Sequence, residues 1–149
     1  MSGHAPIPQI QQTTQKTHEW LRDLSSRSPL QNQQQAYSIL RAVLHTLRDR
    51  LTVEEVAHLG SQLPMLLRGA YFEGWRPALA PNDFDTVEEF LQHVRSCLGP
   101  GEDISPELRK ATLAAIDVLC ERVDDGELRH VTAQLPEALA NLFPDRLRA

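Results

Sequence analysis

Apolar residues recur every three to four positions along most of this chain, and no segment alternates between apolar and polar residues as a half-buried strand does. The clearest series is Leu40, Val43, Leu44 and Leu47, which predicts a long helix that ends near Arg50. Similar series follow one another along the chain, separated by helix-breaking residues. The pattern therefore predicts an all-α protein of about eight helices.

Capping residues and prolines at the ends of the apolar series predict where helices begin. Thr52 and Glu55 form the T-x-x-E pattern of a capping box, so a short helix is expected to start at Val53. Pro64 suits the first turn of a helix and predicts the start of the next one. By the same reasoning, further helices are expected to begin at Ser28-Pro29, at Asp85-x-x-Glu88 and at Ser105-Pro106.

The chain also contains an internal repeat at an offset of 72 residues. Eight paired positions are identical without a gap, and they include expected helix breaks. The pairs are Leu47/Leu119, Arg50/Arg122, Glu55/Glu127, His58/His130, Gln62/Gln134, Leu63/Leu135, Pro64/Pro136 and Leu67/Leu139. Self-similarity at a fixed offset indicates that one structural unit is used twice. We therefore expect two tandem four-helix repeats packed as one compact, bundle-like domain, with Leu47 and Leu119 in its core.

The same pattern predicts the organisation of the chain. Residues 1–13 are rich in Gln, Pro and Thr without periodicity, and they are expected to form a disordered N-terminal tail. The first helical repeat is placed at residues 14–75 and the second at 85–143. A linker rich in proline and small residues, 76–84, separates the repeats, and residues 144–149 are expected to form a C-terminal tail.

The first repeat also carries a family resemblance. Its run AYSILRAVLHTLRDRLTVEEVAHLGSQLPMLLRGAYFEGW resembles the signature of the family called Domain of Unknown Function 2267, small helical bacterial proteins. The specific part is LRDRL…QLP…RGxYFxGW, and the second half keeps QLP at Gln134 to Pro136. The resemblance extends from Trp20 to Phe143. It implies a helical fold and a bacterial origin, and it implies no activity or catalytic residue.

Charge and composition narrow the function classes. A net charge of −5, with the basic residues scattered, argues against binding to nucleic acid or to an anionic membrane. No apolar run reaches the length of a membrane span, and no signal peptide follows Met1. The two cysteines, Cys97 and Cys120, lie within apolar helical patterns, as expected for free buried thiols in a reducing cytoplasm. We therefore expect a cytoplasmic protein.

The matched glutamates and histidines are the candidate metal ligands. Glu55 precedes His58 by three residues and Glu127 precedes His130 by three, so each pair shares a helix face. Two Glu-x-x-His units are typical of a carboxylate-bridged metal site only when further carboxylates face inward. The alternative is that duplication preserved a packing or capping role, and this is the reading that the sequence favours. The other histidines along the apolar series are isolated, namely His18, His45 and His93.

Two matched arginines are expected to serve the same helix junctions. Arg50 and Arg122 stand at the ends of long predicted helices, next to the following capping pattern. In these positions we expect them to pair with Glu55 and Glu127 and to tie neighbouring helices together. Binding of an anion is the less favoured alternative.

An aromatic stripe is the candidate interaction surface. Arg68, Tyr71, Phe72 and Trp75 follow one another at helical spacing, with Gly74 as the expected C-terminal cap. One interpretation is a contact patch for a partner or for a second copy of the chain. The other is that Tyr71 and Phe72 fill the core, Trp75 packs over the linker and Arg68 pairs with a carboxylate.

No nucleophile elbow, phosphate-binding loop or clustered cysteine motif occurs in the sequence, so it predicts no catalytic residue and no cofactor. The leading hypothesis is a non-enzymatic protein-interaction or regulatory module. It is expected to bind an unknown protein partner or a second copy of itself. The protein would accordingly be a monomer or a homodimer. The alternative hypothesis is a metal-dependent or enzymatic protein that uses the matched Glu-x-x-His units.

Overall fold

The chain forms eight α-helices and no strand across the residues that the computed structural model describes, which are 6–79, 81–99 and 107–148. Short 3-10 turns lie at Pro77–Leu79 and Asp145–Leu147. The all-α prediction is therefore confirmed. The helices are α1 (Pro8–Ser25), α2 (Gln33–Arg50), α3 (Val53–Ser61), α4 (Met65–Phe72), α5 (Val87–Cys97), α6 (Leu108–Arg122), α7 (Asp125–Gln134) and α8 (Glu137–Ala140).

The long helix α2 lies at the centre of the molecule and packs against α1, α4, α5 and α6. Its apolar series is fully buried, and Leu47 and Leu119 are both inaccessible to solvent, as predicted. The buried apolar side chains form one continuous core. The two short helices α3 and α7 pack directly against each other. No helix of the described residues combines the length and apolar character needed to cross a membrane.

The capping box predicted at Thr52 and Glu55 forms only in part, and α7 begins with a similar cap. The Thr52 side chain accepts a hydrogen bond from the backbone N–H of Glu55, and Asp124 does the same for Glu127. The reciprocal bond from Glu55 to the Thr52 backbone does not form, because the Thr52 N–H instead donates to Oε1 of Gln134 at 3.2 Å. The Glu55 side chain is thereby left free to point into the contact between α3 and α7.

The start of α2 differs from the prediction at Ser28-Pro29. The helix begins after Asn32, whose side chain accepts a hydrogen bond of 2.9 Å from the backbone N–H of Gln35. A cap by an asparagine side chain satisfies one of the free N–H groups of the first turn, so the helix starts there. The other predicted Ser-Pro start, Ser105-Pro106, lies outside the described residues.

The cap of α5 is shifted by one residue from the predicted Asp85-x-x-Glu88. Thr86 accepts from the backbone N–H of Glu89 at 3.1 Å, and the Glu89 carboxylate accepts from the backbone N–H of Thr86 at 3.1 Å. The reciprocal box is complete. Both registers have the sequence of a capping box, and the chain uses the one that begins at Thr86.

The predicted tails are shorter than expected. Helix α1 already begins at Pro8, a proline in the first turn. The Thr13 side chain accepts a 2.8 Å hydrogen bond from the backbone N–H of Leu66 and ties α1 to the start of α4. At the other end, Leu147 is fully buried, and its carbonyl accepts a 2.5 Å hydrogen bond from Oγ1 of Thr132. Residues 1–5, within the predicted disordered tail, lie outside the described part of the chain.

The paired prolines of the internal repeat lie in similar local settings. Pro64 is the N-terminal cap residue of α4, and Pro136 is that of α8. The two helices differ in length, since α4 has 8 residues and α8 has 4. That the two halves superpose as four-helix repeats stays a prediction.

Candidate functional site

The contact between α3 and α7 encloses two glutamates, Glu55 from the first turn of α3 and Glu127 from the first turn of α7. We call them the carboxylate pair. Glu55 is only 4% exposed, which is unusual for an acidic side chain, and Glu127 is half-buried. The offset of 72 residues that relates them in sequence is thus matched by proximity in space.

His58 completes a group of three potential metal ligands with the carboxylate pair. One ligand atom from each of Glu55, His58 and Glu127 lies within 4.8 Å of the other two. We call this group the carboxylate cluster. Its i, i+3 spacing puts His58 on the same face of α3 as Glu55. His58 and the fourth predicted ligand, His130, are both exposed, but His130 is not part of the group found among the described residues.

The carboxylate cluster is only partly satisfied by hydrogen bonds. Oε1 of Glu55 accepts a 3.3 Å hydrogen bond from the amide of Gln134, whose Oε1 accepts in turn from the Thr52 hydroxyl at 3.2 Å. Oε2 of Glu55 and Oε2 of Glu127 are buried and have no hydrogen-bond partner in the described part of the chain. A buried oxygen without a partner is costly, so each one indicates a missing ligand or a shared proton.

The two arginines expected to neutralise the carboxylate pair bind elsewhere. Arg50 donates through Nε to the carbonyl of Phe84 at 2.9 Å. Arg122 lies 3.4 Å from a carboxylate oxygen of Asp23. The predicted pairing of Arg50 and Arg122 with the two glutamates is therefore wrong. The reason is tertiary: each guanidinium reaches a partner on another segment, which the local sequence does not reveal.

Proximity to Glu127 changes the ionisation of Glu55. Burial, followed by the close approach and the negative charge of the Glu127 carboxyl group, raises the pKa of Glu55 to about 8. A carboxyl group that is buried beside a negative charge ionises less readily, so Glu55 holds its proton near neutral pH. A metal ion is the other species that satisfies two such oxygens, because it replaces the shared proton with a larger positive charge.

The aromatic stripe is used mainly for packing. Arg68 donates to the carbonyls of Gly60 at 2.9 Å and Leu63 at 3.0 Å, so it caps the C-terminal end of α3 rather than pairing with a carboxylate. Tyr71 is fully buried, and its hydroxyl donates to the carbonyl of Val56 at 2.8 Å. These two side chains therefore fix α4 against α3.

The rest of the stripe is half-buried. Phe72 contacts Gly60 so closely that a Cβ there would lie 2.9 Å from its ring, which explains a glycine inside α3. Trp75 follows Gly74, which has the positive φ of 73° that favours glycine, and its ring centroid lies 5.6 Å from that of Phe72. The Trp75 indole nitrogen is buried without a partner in the described part of the chain. The stripe offers little free aromatic surface.

A groove between α1 and α4 is the more open surface. It has a volume of about 400 Å³, and its lining includes Thr13, Lys16, Trp20 and Met65. Met65 is 59% exposed, although it is a large apolar side chain. The sequence did not single out this groove, because its two walls are 50 residues apart.

Sequence reasoning also missed a second cluster of titratable groups. Asp49 near the end of α2 contacts His93 on α5, and Cys97 lies four residues beyond His93 on the same helix. In sequence the histidine was isolated. The i, i+4 spacing of a histidine and a cysteine is the one signal that was available.

The whole-chain comparisons add the family but no activity. A family model described as "Uncharacterized conserved protein (DUF2267)" matches residues 17–142, which is most of the chain. No curated protein matches the sequence.

Proposed function

Because the chain belongs to the DUF2267 family, whose description names no activity, its function must be argued from its own residues, and we propose a non-enzymatic regulatory module that binds a divalent metal ion. The ion binds at the carboxylate cluster of Glu55, His58 and Glu127. Since these residues come from α3 and α7, the ion would join the two halves of the chain and stabilise their packing.

One observation supports this proposal above the others: the carboxylate pair buries two oxygens that accept no hydrogen bond within the described residues. Moving a carboxylate out of water costs several kcal/mol unless a cation or hydrogen bonds compensate it. A divalent cation between the two side chains compensates both oxygens at once, and the nearby imidazole of His58 supplies a third donor atom.

The donor set favours a first-row transition metal. Two carboxylates and one imidazole suit Zn²⁺ or Mn²⁺, whereas Mg²⁺ and Ca²⁺ prefer oxygen ligands alone. The three candidate ligand atoms lie within 4.8 Å of one another. Atoms that bind one metal ion at about 2.0–2.2 Å lie closer to one another than that. Small side-chain rotations would therefore close the site, and water would complete the coordination.

The experiment is a calorimetric titration of tag-free, chelator-treated protein with Zn²⁺, Mn²⁺, Mg²⁺ and Ca²⁺ in turn. We expect Zn²⁺ or Mn²⁺ to bind with one ion per chain and Mg²⁺ and Ca²⁺ to bind weakly. Glu55→Gln should abolish the binding, whereas Glu54→Gln, a change at the exposed neighbour, should leave it intact. Equal losses in both variants, or no binding by the unaltered chain, would contradict the proposal.

The two histidines provide a second matched pair of variants. His58 belongs to the carboxylate cluster, whereas His130 occupies the paired position on α7 outside it. His58→Ala should weaken Zn²⁺ binding at least about 10-fold, since loss of even a residue that supports a ligand costs about 10-fold to 100-fold. His130→Ala should leave the affinity unchanged. A larger loss in His130→Ala would mean that the ligand set is different.

A second candidate function, self-association, is favoured by the exposed Met65 beside the α1–α4 groove. Leu66 next to it is 42% exposed, so two neighbouring apolar side chains face solvent. Exposed apolar surface beside a groove tends to be covered in the functional state. Sedimentation of Met65→Ser should show less dimer than the unaltered chain, with Leu79→Ser, at an equally exposed site, as the control. If the unaltered chain and both variants all sediment as monomers, self-association is rejected.

A further inference from the structure

The contact between α2 and α5 contains a group of reactive side chains that the metal proposal does not use. Asp49 belongs to α2, and His93 and Cys97 belong to α5. We call these three residues the thiol cluster. Cys97 is half-buried and is not in a disulfide. The side chains of Asp49 and His93 are 22% and 24% exposed, so small solutes reach the edge of the cluster.

His93 is oriented by a carboxylate on the neighbouring helix. Its Nε2 lies 3.0 Å from Oδ2 of Asp49, and Oδ1 of the same carboxylate accepts a 2.9 Å hydrogen bond from Arg48. Because an ionised carboxylate only accepts hydrogen bonds, Nε2 of His93 carries a proton and donates it. The second ring nitrogen, Nδ1, is then left for another partner, and Cys97 is four residues further on the same helix face.

A second imidazole, that of His45 on α2, is within hydrogen-bonding reach of the same thiol. Nε2 of His45 lies 2.7 Å from the carbonyl of Ala70, which also only accepts, so this nitrogen donates and Nδ1 remains for the thiol. The imidazole is buried, being 5% exposed. Cys97 therefore has one imidazole beside it on α5 and another on α2.

The remaining charges around Cys97 come from α2 and the end of α4. Arg41 lies with one guanidinium nitrogen 3.4 Å from the backbone carbonyl of Cys97 and the other 3.2 Å from the carboxylate of Glu73. The buried Arg48 holds Asp49. Cys97 is the last residue of α5, where the helix dipole disfavours an anion, so the imidazoles act against that effect.

The balance of these influences favours an ionised thiol. Burial opposes ionisation of Cys97, but hydrogen bonds and charge from His45 and His93 outweigh it and lower the pKa of the thiol to about 6. The hydrogen bond to Asp49, followed by that to Cys97, raises the pKa of His93 to about 9. Between these values the pair exists as thiolate and imidazolium.

We propose that Cys97 is a nucleophilic thiolate that forms mixed disulfides with small-molecule disulfides, with His93 as its cationic partner and Asp49 as the positioning residue. The Cys97 sulfur attacks one sulfur of the reagent and forms a new S–S bond. The S–S bond of the reagent breaks, and its electron pair leaves with the released thiolate, so no other oxidant is needed.

The adduct must be resolved by an external thiol. The chain has two cysteines, and the other one, Cys120, is 2% exposed on α6. Burial raises the pKa of Cys120 to about 12, so this thiol stays protonated. The two thiols therefore form an internal comparison within one molecule, one expected to react and one expected to be inert.

The first experiment measures the alkylation rate of each thiol by iodoacetamide from pH 5 to pH 9, in full-length Cys120→Ser and Cys97→Ser. We expect the rate for Cys97 to have its midpoint near pH 6. At pH 7 roughly 90% of such a thiol is ionised, against about 3% of an ordinary one. Cys120 should be unreactive in the folded protein. A Cys97 midpoint above pH 8 would overturn the proposal.

The second experiment tests the roles of the partners in the Cys120→Ser background. His93→Gln should raise the midpoint by at least about one pH unit, since it removes the cation, and Asp49→Asn should raise it by less. Gln92→Ala, at the exposed neighbour of His93, should leave it unchanged. Circular dichroism verifies that each variant is folded. An unchanged midpoint in folded His93→Gln, or in Asp49→Asn if His93→Gln does not fold, would overturn the roles assigned here.

The third experiment uses oxidised glutathione and mass spectrometry to follow the mixed disulfide itself. Cys120→Ser should gain one glutathione, and excess reduced glutathione should remove it. Cys97→Ser should gain none. No adduct on Cys97 under conditions where a small model thiol reacts would mean that the thiolate is shielded and would overturn the proposed exchange.

Discussion

Glu55, where α3 meets α7, faces a second glutamate, whereas Asp49, where α2 meets α5, faces Arg48 and His93. Both carboxyl groups lie at helix contacts and are partly or fully buried. The pKa of Glu55 is raised, mainly by burial and by Glu127. For Asp49, burial also opposes ionisation, but the hydrogen bonds from His93 and Arg48 outweigh it and lower the pKa.

The opposite pKa shifts of Glu55 and Asp49 show which of the two helix contacts lacks a positive charge beside its carboxyl group. At the contact of α2 and α5 the chain itself supplies the positive charges, so the carboxylate stabilises the fold as it stands. At the contact of α3 and α7 no arginine or lysine forms a salt bridge with the carboxylate pair among the described residues. That contact supplies no cation of its own in the described part of the chain, and this is the basis of the proposed function.

The largest expected effect comes from removing the arginine that compensates Asp49. Arg48 is 5% exposed and also donates to the carbonyls of Tyr71 at 2.8 Å and Glu73 at 2.9 Å. Arg48→Met leaves a carboxylate and two carbonyls without their donor, so it should cost on the order of 3–5 kcal/mol of unfolding free energy. Urea unfolding measures it, with Arg95→Met at an exposed site of α5 as the control. A cost below that of the control would mean that Asp49 needs no compensation.

A smaller loss is expected when the compensated carboxylate is neutralised. Asp49→Asn keeps the shape of the side chain but removes the charge that holds Arg48 and His93, so it should destabilise the protein by roughly 1–3 kcal/mol. The measurement is the same urea unfolding at pH 6.5. Exposed Asp83→Asn is the control. A gain in stability would mean that Asp49, like Glu55, is a carboxyl group without sufficient positive charge beside it. The two helix contacts would then not differ in this respect.

The pH dependence of the unfolding free energy tests whether His93 and Cys97 ionise as a pair. Relative to their ordinary values of 6.5 and 9.0, the pKa of His93 rises to about 9 and that of Cys97 falls to about 6. Between pH 6.5 and 9 the folded pair binds one proton on the imidazole, and the unfolded pair binds one on the thiol. Equal proton numbers mean that the pair adds no slope of stability with pH.

Cys97→Ser removes the thiol, so the numbers of protons bound in the folded and unfolded states are no longer equal. Only the raised pKa of His93 then contributes to the pH dependence. A raised histidine pKa stabilises the fold fully below pH 6.5, and the contribution is lost as the pH rises through the folded value. The stability of Cys97→Ser, relative to the unaltered chain, should therefore fall between pH 6.5 and 9 by on the order of 1 kcal/mol. Urea unfolding at both pH values tests this. A relative stability that rises with pH would contradict the paired ionisation.

The smallest effect has the opposite sign. Near pH 7 and without metal ions, Glu55→Gln should leave stability unchanged or increase it by about 1 kcal/mol, because a neutral amide replaces a buried acid whose pKa is already raised to about 8. The same chemical change thus destabilises the protein at Asp49 and not at Glu55. Glu54→Gln is the control. A loss above about 2 kcal/mol would mean that the carboxylate pair is already compensated.

Helical periodicity and capping patterns predicted the fold because both depend on neighbours within a few residues. The threonine cap at Thr52 and the core positions of Leu47 and Leu119 follow from such local rules. The start of α2 was misplaced because Asn32 competes with Ser28-Pro29 as a cap, and single residues decide between them.

The site was predicted only in part, because its geometry depends on tertiary contacts. The matched Glu-x-x-His units predicted Glu55, His58 and Glu127 as candidate ligands. They did not predict that His130 would lie outside the group. Nor did the sequence indicate that Arg50 would donate to the Phe84 carbonyl and leave Glu55 without a guanidinium. Such choices are made between segments far apart in the chain.

The most direct test of the metal proposal is an anomalous difference map of a crystal grown with Zn²⁺ and measured on both sides of the zinc absorption edge. We predict one strong peak between α3 and α7, at about 2.0–2.2 Å from an oxygen of Glu55, an oxygen of Glu127 and a ring nitrogen of His58. Zinc bound elsewhere on the chain, with no peak between the two glutamates, would contradict the account.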